Sequence, residues 1–507
     1  MLPRPAPPNE SGTAKTRFPF HNSLARLPDR FYARLAPSQV PAPRLIALNR
    51  PLAAELGLEP ALESLDEEQL AALFSGNVLP EGAEPIALAY AGHQFGRFVP
   101  QLGDGRALLL GEVHDRLGAR RELQLKGSGP TPWSRDGDGK AAVGPVLREY
   151  LVSEAMHALG IPSTRSLAAV LTGERVYRDQ ALPGAILTRV ASSHLRVGTF
   201  QYFAARGDAQ AVRQLADLAI ERHYPQIGAR EDRYLALLAA VTERQAQLVA
   251  RWMCVGFIHG VMNTDNMAVS GETLDFGPCA FLDEYDPGKV FSSIDTFGRY
   301  AYQNQPAAAQ WNLARFAETL LGLIDADVEQ AVARASEIIT GFQQSYETAW
   351  LSGMRAKLGL CTQEPADAEL VNDWLELLRG EAADFTLSFR GLTELARDGA
   401  ECETLPAGPW RAAGFAPWRA RWRARLEREP APVAERLGLM RSSNPLYIPR
   451  NHRIEQLIAT AIERQDFEPF HALNEALSQP FREQSRFAHL AEPPAPEERV
   501  LRTFCGT

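Results

Sequence analysis

Residues 257–269 read FIHGVMNTDNMAV, and residues 272–277 follow as ETLDFG. Together they match the pattern H-x-D-x-x-x-x-N followed by D-F-G at every diagnostic position but one. His259 and Asn266 take the histidine and asparagine places, and Asp275-Phe276-Gly277 supplies the D-F-G. The aspartate that would accept a proton is replaced by Val261, which has no acceptor. A different aspartate, Asp265, stands beside Asn266.

Upstream of the motif, RYLALLAAVTERQAQLVARWMCVGF (233–257) reads as a long apolar helix running straight into it. MAVSGETLDFG (267–277) reads as a short hairpin turning at Ser270-Gly271. Further back, IALAYAG (86–92), RALLLGEVH (106–114) and RRELQLKG (120–127) are apolar runs. Turn signals at Gly103-Asp104-Gly105 and Arg116-Leu117-Gly118 separate them, so an antiparallel meander is expected. GSGPTPWSRDGDGK (127–140) is too rich in Gly and Pro for a regular element. It narrowly misses a P-loop, with Ser134 where glycine is required and Ala141 after Lys140.

VGPVLREYLVSEAMHALG (143–160) predicts a helix. LAAVLTGERVYR (167–178) predicts a hairpin over Thr172-Gly173-Glu174, and GAILTRVA (184–191) another strand. Residues 1–40 read as an extended arm broken by prolines, residues 48–76 as short helices, and the chain after about 205 as mostly helical. Strands followed by helices predict an α+β, two-lobed body.

The order of parts resembles a protein kinase. Lys126 closes the third strand, Gly103 and Gly105 lie in a turn before it, and Glu149 lies in the helix after it. A kinase needs glycines that let backbone approach phosphate, a strand lysine that neutralises it, and a helix glutamate that holds the lysine. A lone lysine at a strand end is ordinarily a solvated end; the order and spacing change that reading. Asn266 and Asp275 offer oxygen ligands, which suit Mg²⁺ or Mn²⁺ with water and phosphate completing the shell. Arg189 and Arg196 flank the end of the strand that in a kinase leads to the adenine hinge. Planar multi-donor cations there hint that phosphates point the opposite way. His259 reads as a residue that organises the loop. On this scheme residues 1–85 are an extension, 86–200 an N-lobe of sheet plus helix, 201–350 a C-lobe with the catalytic loop, and 351–507 a helical region and tail.

The 507 residues carry a formal charge of −9, which argues against a general nucleic-acid binder. No run approaches the roughly 18 uncharged apolar residues that a membrane span needs. The start, MLPRPAPPNESGTAKTRFPF, has no apolar core of a secretory signal, so a cytoplasmic protein is expected. The five cysteines form no C-x-x-C pair and no zinc pattern. In PWRAAGFAPWRARWRARLERE (409–429), Trp418 and Trp422 share one helix face, read as packing and not as a nucleic-acid surface.

Four stretches carry a more specific resemblance. They are YAGHQFGRFVPQLGDGRALLLGEV (90–113), ELQLKGSGPTPWSRDGDGKAAVGPVLREYLVSEAMHALGIPSTRSL (122–167), GFIHGVMNTDNMAVSGETLDFGPCAFLDEYDP (256–287) and NPLYIPRNH (444–452). They resemble the selenoprotein O family. The resemblance implies a pseudokinase-like fold that binds ATP in a flipped orientation and transfers AMP, or UMP from UTP, to protein hydroxyls. It implies nucleotide contacts at Gly103, Gly105, Arg106, Lys126, Asp138, Gly139, Arg189, Arg196 and Asp275. It implies metal ligation by Asn266 and Asp275, Asp265 as proton acceptor, and Glu149 paired with Lys126.

Many eukaryotic members carry selenocysteine third from the end, where this chain has Cys505. A redox bond from Cys505 to Cys279, just past the D-F-G, is a further expectation. Two other readings are a conventional phosphotransferase and a non-catalytic nucleotide-binding scaffold. Val261 counts against the first, and the joint presence of Lys126, Glu149, Asn266 and Asp275 against the second.

Overall fold

A computed structural model describes residues 16–397, 405 and 408–504 of the chain. Its strands are β1 (Tyr32–Arg34), β2 (Arg44–Leu48), β3 (Ile86–Leu88), β4 (Gly92–Gln94), β5 (Arg97–Val99), β6 (Ala107–His114), β7 (Arg120–Lys126), β8 (Ala141–Ala142), β9 (Arg165–Tyr177), β10 (Ala181–Ala191), β11 (Phe257–Ile258) and β12 (Ala280–Phe281). One eight-stranded sheet runs β1-β3-β6-β7-β10-β9-β2, with β8 added to β10. The fold is mixed α/β, sheet-rich in its first part and helix-rich after it.

The sheet is covered on both faces, which is why β6 is buried at every position but its last. One face packs on the helix Val143–Ala158 through Val146, Leu147 and Leu151. The other packs Val113, Leu123, Leu167 and Val190 under the short helices Arg50–Glu55, Glu59–Leu62 and Glu67–Ser75. Strand alternation then sorts the chemistry. Leu123 turns to the short helices, while Gln124 and Lys126 turn the other way, paired across the ladder with Arg189 and Leu187.

The expected meander is present in β3, β6 and β7, with the extra ribbon β4–β5 inserted before β6. Of the arm expected over 1–40, residues 1–15 lie outside the described residues, and the rest is not wholly extended: it holds two 3₁₀ turns and strand β1. Strand β2, unseen in the sequence, pairs with β9.

The hairpin expected over Thr172-Gly173-Glu174 is corrected, because β9 runs through it as one strand of 13 residues. Gly173 sits at φ +78°, where the register jumps from Arg175–Pro183 to Leu171–Ala185. The glycine makes a bulge, and a Cβ there would meet that of Ala42 at 2.7 Å. The hairpin over 267–277 is corrected too. Gly271 N closes the turn on Ala268 O, but the flanks bridge outward, Ala268 to Arg196 and Thr273 to Ser163.

In the helical part, Arg233–Val255 ends at Gly256, φ +74°, and packs against the helices Gln305–Ile324 and Val328–Lys357. Trp418 is buried beside Trp374 and Trp422 stacks on Trp418; their indoles donate to Leu370 O and Leu358 O at 2.9 Å. Among the described residues no helix is long and apolar enough to cross a membrane.

Candidate active site

A cavity of about 540 Å³ lies where the sheet meets the loop after β11. Gly103, Gly105, Arg106, Lys126, Asp138 and Gly139 line it from the sheet side. Glu149, Arg189, Arg196, Asp265, Asn266 and Asp275 complete its wall, so every residue expected to bind nucleotide or metal reaches one space.

Three cations converge on one carboxylate. Lys126 Nζ lies 2.6 Å from Glu149 Oε2 and 2.7 Å from Asp275 Oδ1. Arg189 Nη1 donates to Asp275 Oδ1 at 2.6 Å and to Glu149 Oε1 at 3.2 Å. Arg196 Nη1 donates to Asp275 Oδ2 at 2.6 Å and to Asp265 O at 2.7 Å. Burial alone would raise the Asp275 carboxyl, but Lys126, Arg196 and Arg189 hold it well below the usual carboxylate range. Behind them, Arg189 Nη2 donates to Gln124 Oε1 at 2.5 Å, and Gln124 Nε2 donates to Asp104 Oδ2 at 3.2 Å. Arg196 also lies over the Tyr90 ring, 4.7 Å from its centroid. Arg106 Nη1, Arg189 Nε and Arg196 Nε are buried with no hydrogen-bond partner among the described residues. The site therefore carries more cationic donors than its own acceptors satisfy, as an anion-binding site should.

The catalytic-loop residues divide by role. His259 is buried, bonds Leu274 O at 2.9 Å through Nε2, and has its pKa lowered by burial, so it ties the loop together. Val261 lines the cavity and closes the usual base position with an apolar side chain. Asp265 is 6% exposed, and burial pushes its carboxyl up to about 6. Gln94 Nε2 donates to its Oδ2 at 3.3 Å, while Oδ1 is packed against Gly92 with no hydrogen-bond partner among the described residues. Asn266 donates Nδ2 to Val261 O at 3.0 Å, which leaves its amide oxygen as the atom for a cation. No group of three or more His, Cys, Asp or Glu that could hold a metal occurs among the described residues. A divalent cation here would draw on Asp275, Asn266 and oxygens of its substrate and water.

The glycines expected at the nucleotide are closely packed by neighbouring residues. Gly103, φ +105°, admits the Trp133 ring where a Cβ would collide, and Gly139, φ +66°, lies against Gly129. Asp138 is held by Arg178, at 2.9 Å from Nη1 and 3.1 Å from Nη2. Cys279 does not line the cavity; it is buried, with its thiol donating to Phe276 O at 3.3 Å. Cys505 lies outside the described residues. The tail just before it docks beside the D-F-G: Thr503 N donates to Phe291 O at 2.8 Å and its Oγ1 to Pro278 O at 2.5 Å. Tyr90, Gln94, Asp104, Gln124 and Trp133 were not singled out from the sequence, and each owes its place to a contact distant along the chain.

Residues 15–478 match the family described as "Protein adenylyltransferase SelO". The chain is 59% identical over 500 residues to "Protein nucleotidyltransferase YdiU" of Rhizobium leguminosarum bv. trifolii (strain WSM2304), covering 98% of this chain and 99% of that one. It is 60% identical over 492 residues to the protein of the same name from Rhizobium meliloti (strain 1021), covering 97% and 100%. Against that of Rhodopseudomonas palustris (strain BisB5), the identity is 60% over 490 residues, covering 97% and 99%.

Proposed function

Because the chain belongs to the SelO family of protein adenylyltransferases, we propose that its cavity is the seat of AMP transfer from ATP to protein hydroxyls. The protein is a nucleotidyltransferase, and the roles below are our reading of its site. The hydroxyl oxygen of a Ser, Thr or Tyr attacks the α-phosphorus, the bond from that phosphorus to the β-phosphoryl oxygen breaks, and pyrophosphate leaves. Asp265 takes the hydroxyl proton. Lys126, Arg189 and Arg196 hold the phosphates and the departing pyrophosphate, and Glu149 keeps Lys126 in line. Gly103, Gly105, Arg106, Asp138 and Gly139 contact the nucleotide. Mg²⁺ or Mn²⁺ on Asn266 and Asp275 would neutralise charge at the reacting phosphoryl group.

The observation that carries this reading is the pair Val261 and Asp265. The usual base position is apolar, and a second carboxylate, that of Asp265, lines the same cavity beside Asn266. That geometry fits a nucleotide whose α-phosphate, and not its γ-phosphate, is offered for attack. We also read the chain as kinase-like and bilobal, with lobes at 86–200 and 201–350 between the 1–85 extension and the 351–507 helical region. The reading is supported by a cavity shared between sheet and catalytic loop.

The test uses ATP radiolabelled at the α- or the γ-phosphorus, with Mg²⁺ or Mn²⁺, and UTP labelled likewise. Protein-bound label from the α-position alone supports nucleotidyl transfer. Label from the γ-position means a phosphotransferase, and no label with intact nucleotide binding means a scaffold.

A further inference from the structure

We propose that Gln94 is a positioning residue that fixes the orientation of the Asp265 carboxylate for its work as the base. The inference rests on the reading of Asp265 as the base and goes beyond it, by naming the side chain that aims it.

The ribbon β4–β5 is bound onto the catalytic loop on both sides of Gln94. His93 N donates to Thr264 Oγ1 at 2.7 Å, and Phe95 N donates to Asn263 Oδ1 at 3.1 Å. Thr264 Oγ1 in turn donates to Gln201 Oε1 at 2.6 Å, and the Gln201 amide bonds His93 Nδ1 at 2.8 Å. Tyr300 donates its hydroxyl to the same Asn263 Oδ1 at 2.9 Å, and its ring lies 5.1 Å from that of Phe95. The residues before and after Gln94 are fixed to Thr264 and Asn263, which sets its backbone beside Asp265, and its Nε2 meets Oδ2 at 3.3 Å.

Two other features hold the aspartate still. Arg196 Nη1 donates to its backbone oxygen at 2.7 Å. Gly92 leaves out the Cβ that would overlap its carboxylate. One oxygen thus accepts from Gln94, while the other, Oδ1, is packed against Gly92 with no hydrogen-bond partner among the described residues. As the oxygen of the substrate hydroxyl bonds the α-phosphorus, its proton passes to the Asp265 carboxylate and the electron pair of the broken bond leaves with pyrophosphate. A neutral amide suits the task, since a cation at this place would weaken the base and an anion would repel it.

Steady-state AMP transfer, ATP affinity and thermal unfolding would be measured for wild type, Gln94→Ala, the near-isosteric Gln94→Glu, Asp265→Asn and the double variant Gln94→Ala/Asp265→Asn. Each Gln94 variant is expected to lose about tenfold or more in kcat, a part of the ~10²–10⁴-fold that a general base contributes, with ATP affinity held within about twofold. The double variant should be no slower than Asp265→Asn alone, because the amide acts only through that carboxylate. If Gln94→Ala unfolds, Gln94→Glu carries the test. Wild-type turnover in the Gln94 variants, a loss confined to ATP affinity, or a further loss on top of Asp265→Asn would overturn the proposal. Wild-type turnover in Asp265→Asn would instead remove Asp265 as the base, and the assignment of Gln94 with it.

Discussion

Asp275 combines an unusual backbone with a crowded charge environment. It is one of the few non-glycine residues at positive φ, +65°, which aspartate tolerates better than most side chains. In that conformation both carboxylate oxygens turn to cations, Oδ1 to Lys126 and Arg189 and Oδ2 to Arg196. Asp275→Ala is expected to abolish transfer and also to lower stability by roughly 2–4 kcal/mol, because buried cations lose their counter-ion while the open cavity softens the penalty. Parallel transfer assays and denaturant titrations check both; loss of activity at unchanged stability would mean the cations find other acceptors. Gly92→Ala tests the same centre from the other side. Its Cβ would overlap the Asp265 carboxylate, so turnover should fall while ATP binding persists, read by kcat beside a nucleotide titration. Unchanged kcat would mean that Asp265 can shift without consequence.

Elements set the environment in which such residues titrate. The helix Ala209–His223 ends in a histidine, and a helix C-terminus ordinarily favours the charged imidazolium. Here burial wins, reinforced by Arg222, and the His223 pKa is lowered to about 3. With the folded value below the unfolded one, the unfolded chain binds more protons between the two, so stability falls as pH drops below about 6.5. The slope from this group approaches about 1.4 kcal/mol per pH unit in that window. His194, lowered by burial, acts in the same direction. Glu122, held near 2 despite its burial by Arg222 and His194, adds acid loss only below about 4.5. Denaturant midpoints between pH 6.5 and 5 should therefore decline in the wild type and decline less in His223→Gln; parallel slopes would exclude His223 as a source.

On the scale of the whole molecule, the sheet draws β1 and β2 from the chain before residue 86, and the short helices of that region cover one of its faces. A chain beginning at residue 86 would expose Leu123, Leu167 and Val190 and leave β9 without its outer partner. Such a truncation should show no cooperative thermal transition and no saturable ATP binding. A soluble fragment that melts cooperatively and binds ATP would make the early segment an accessory.

Chemistry written in short spacings was readable from residues alone. His259, Asn266 and the D-F-G lie on one loop, and Lys126 and Glu149 follow from a strand end and the next helix, because neighbours along the chain set those parts. The absence of an acceptor at Val261 and the aspartate at 265 were visible for the same reason. Tertiary structure decided what depends on partners far along the chain. Thr172-Gly173-Glu174 offers the same local signal for a hairpin and for a bulge, and the packing of Ala42 and the pairing with β10 choose the bulge. Residues 44–48 carry too short a pattern to declare a strand until β9 supplies the ladder. Lys126 and Asp275 meet at 2.7 Å across 149 positions, and Gln94 meets Asp265 at 3.3 Å across 171. Hydrogen bonds act over a few ångströms of space whatever the distance in sequence, so only the folded chain determines which side chains complete the site.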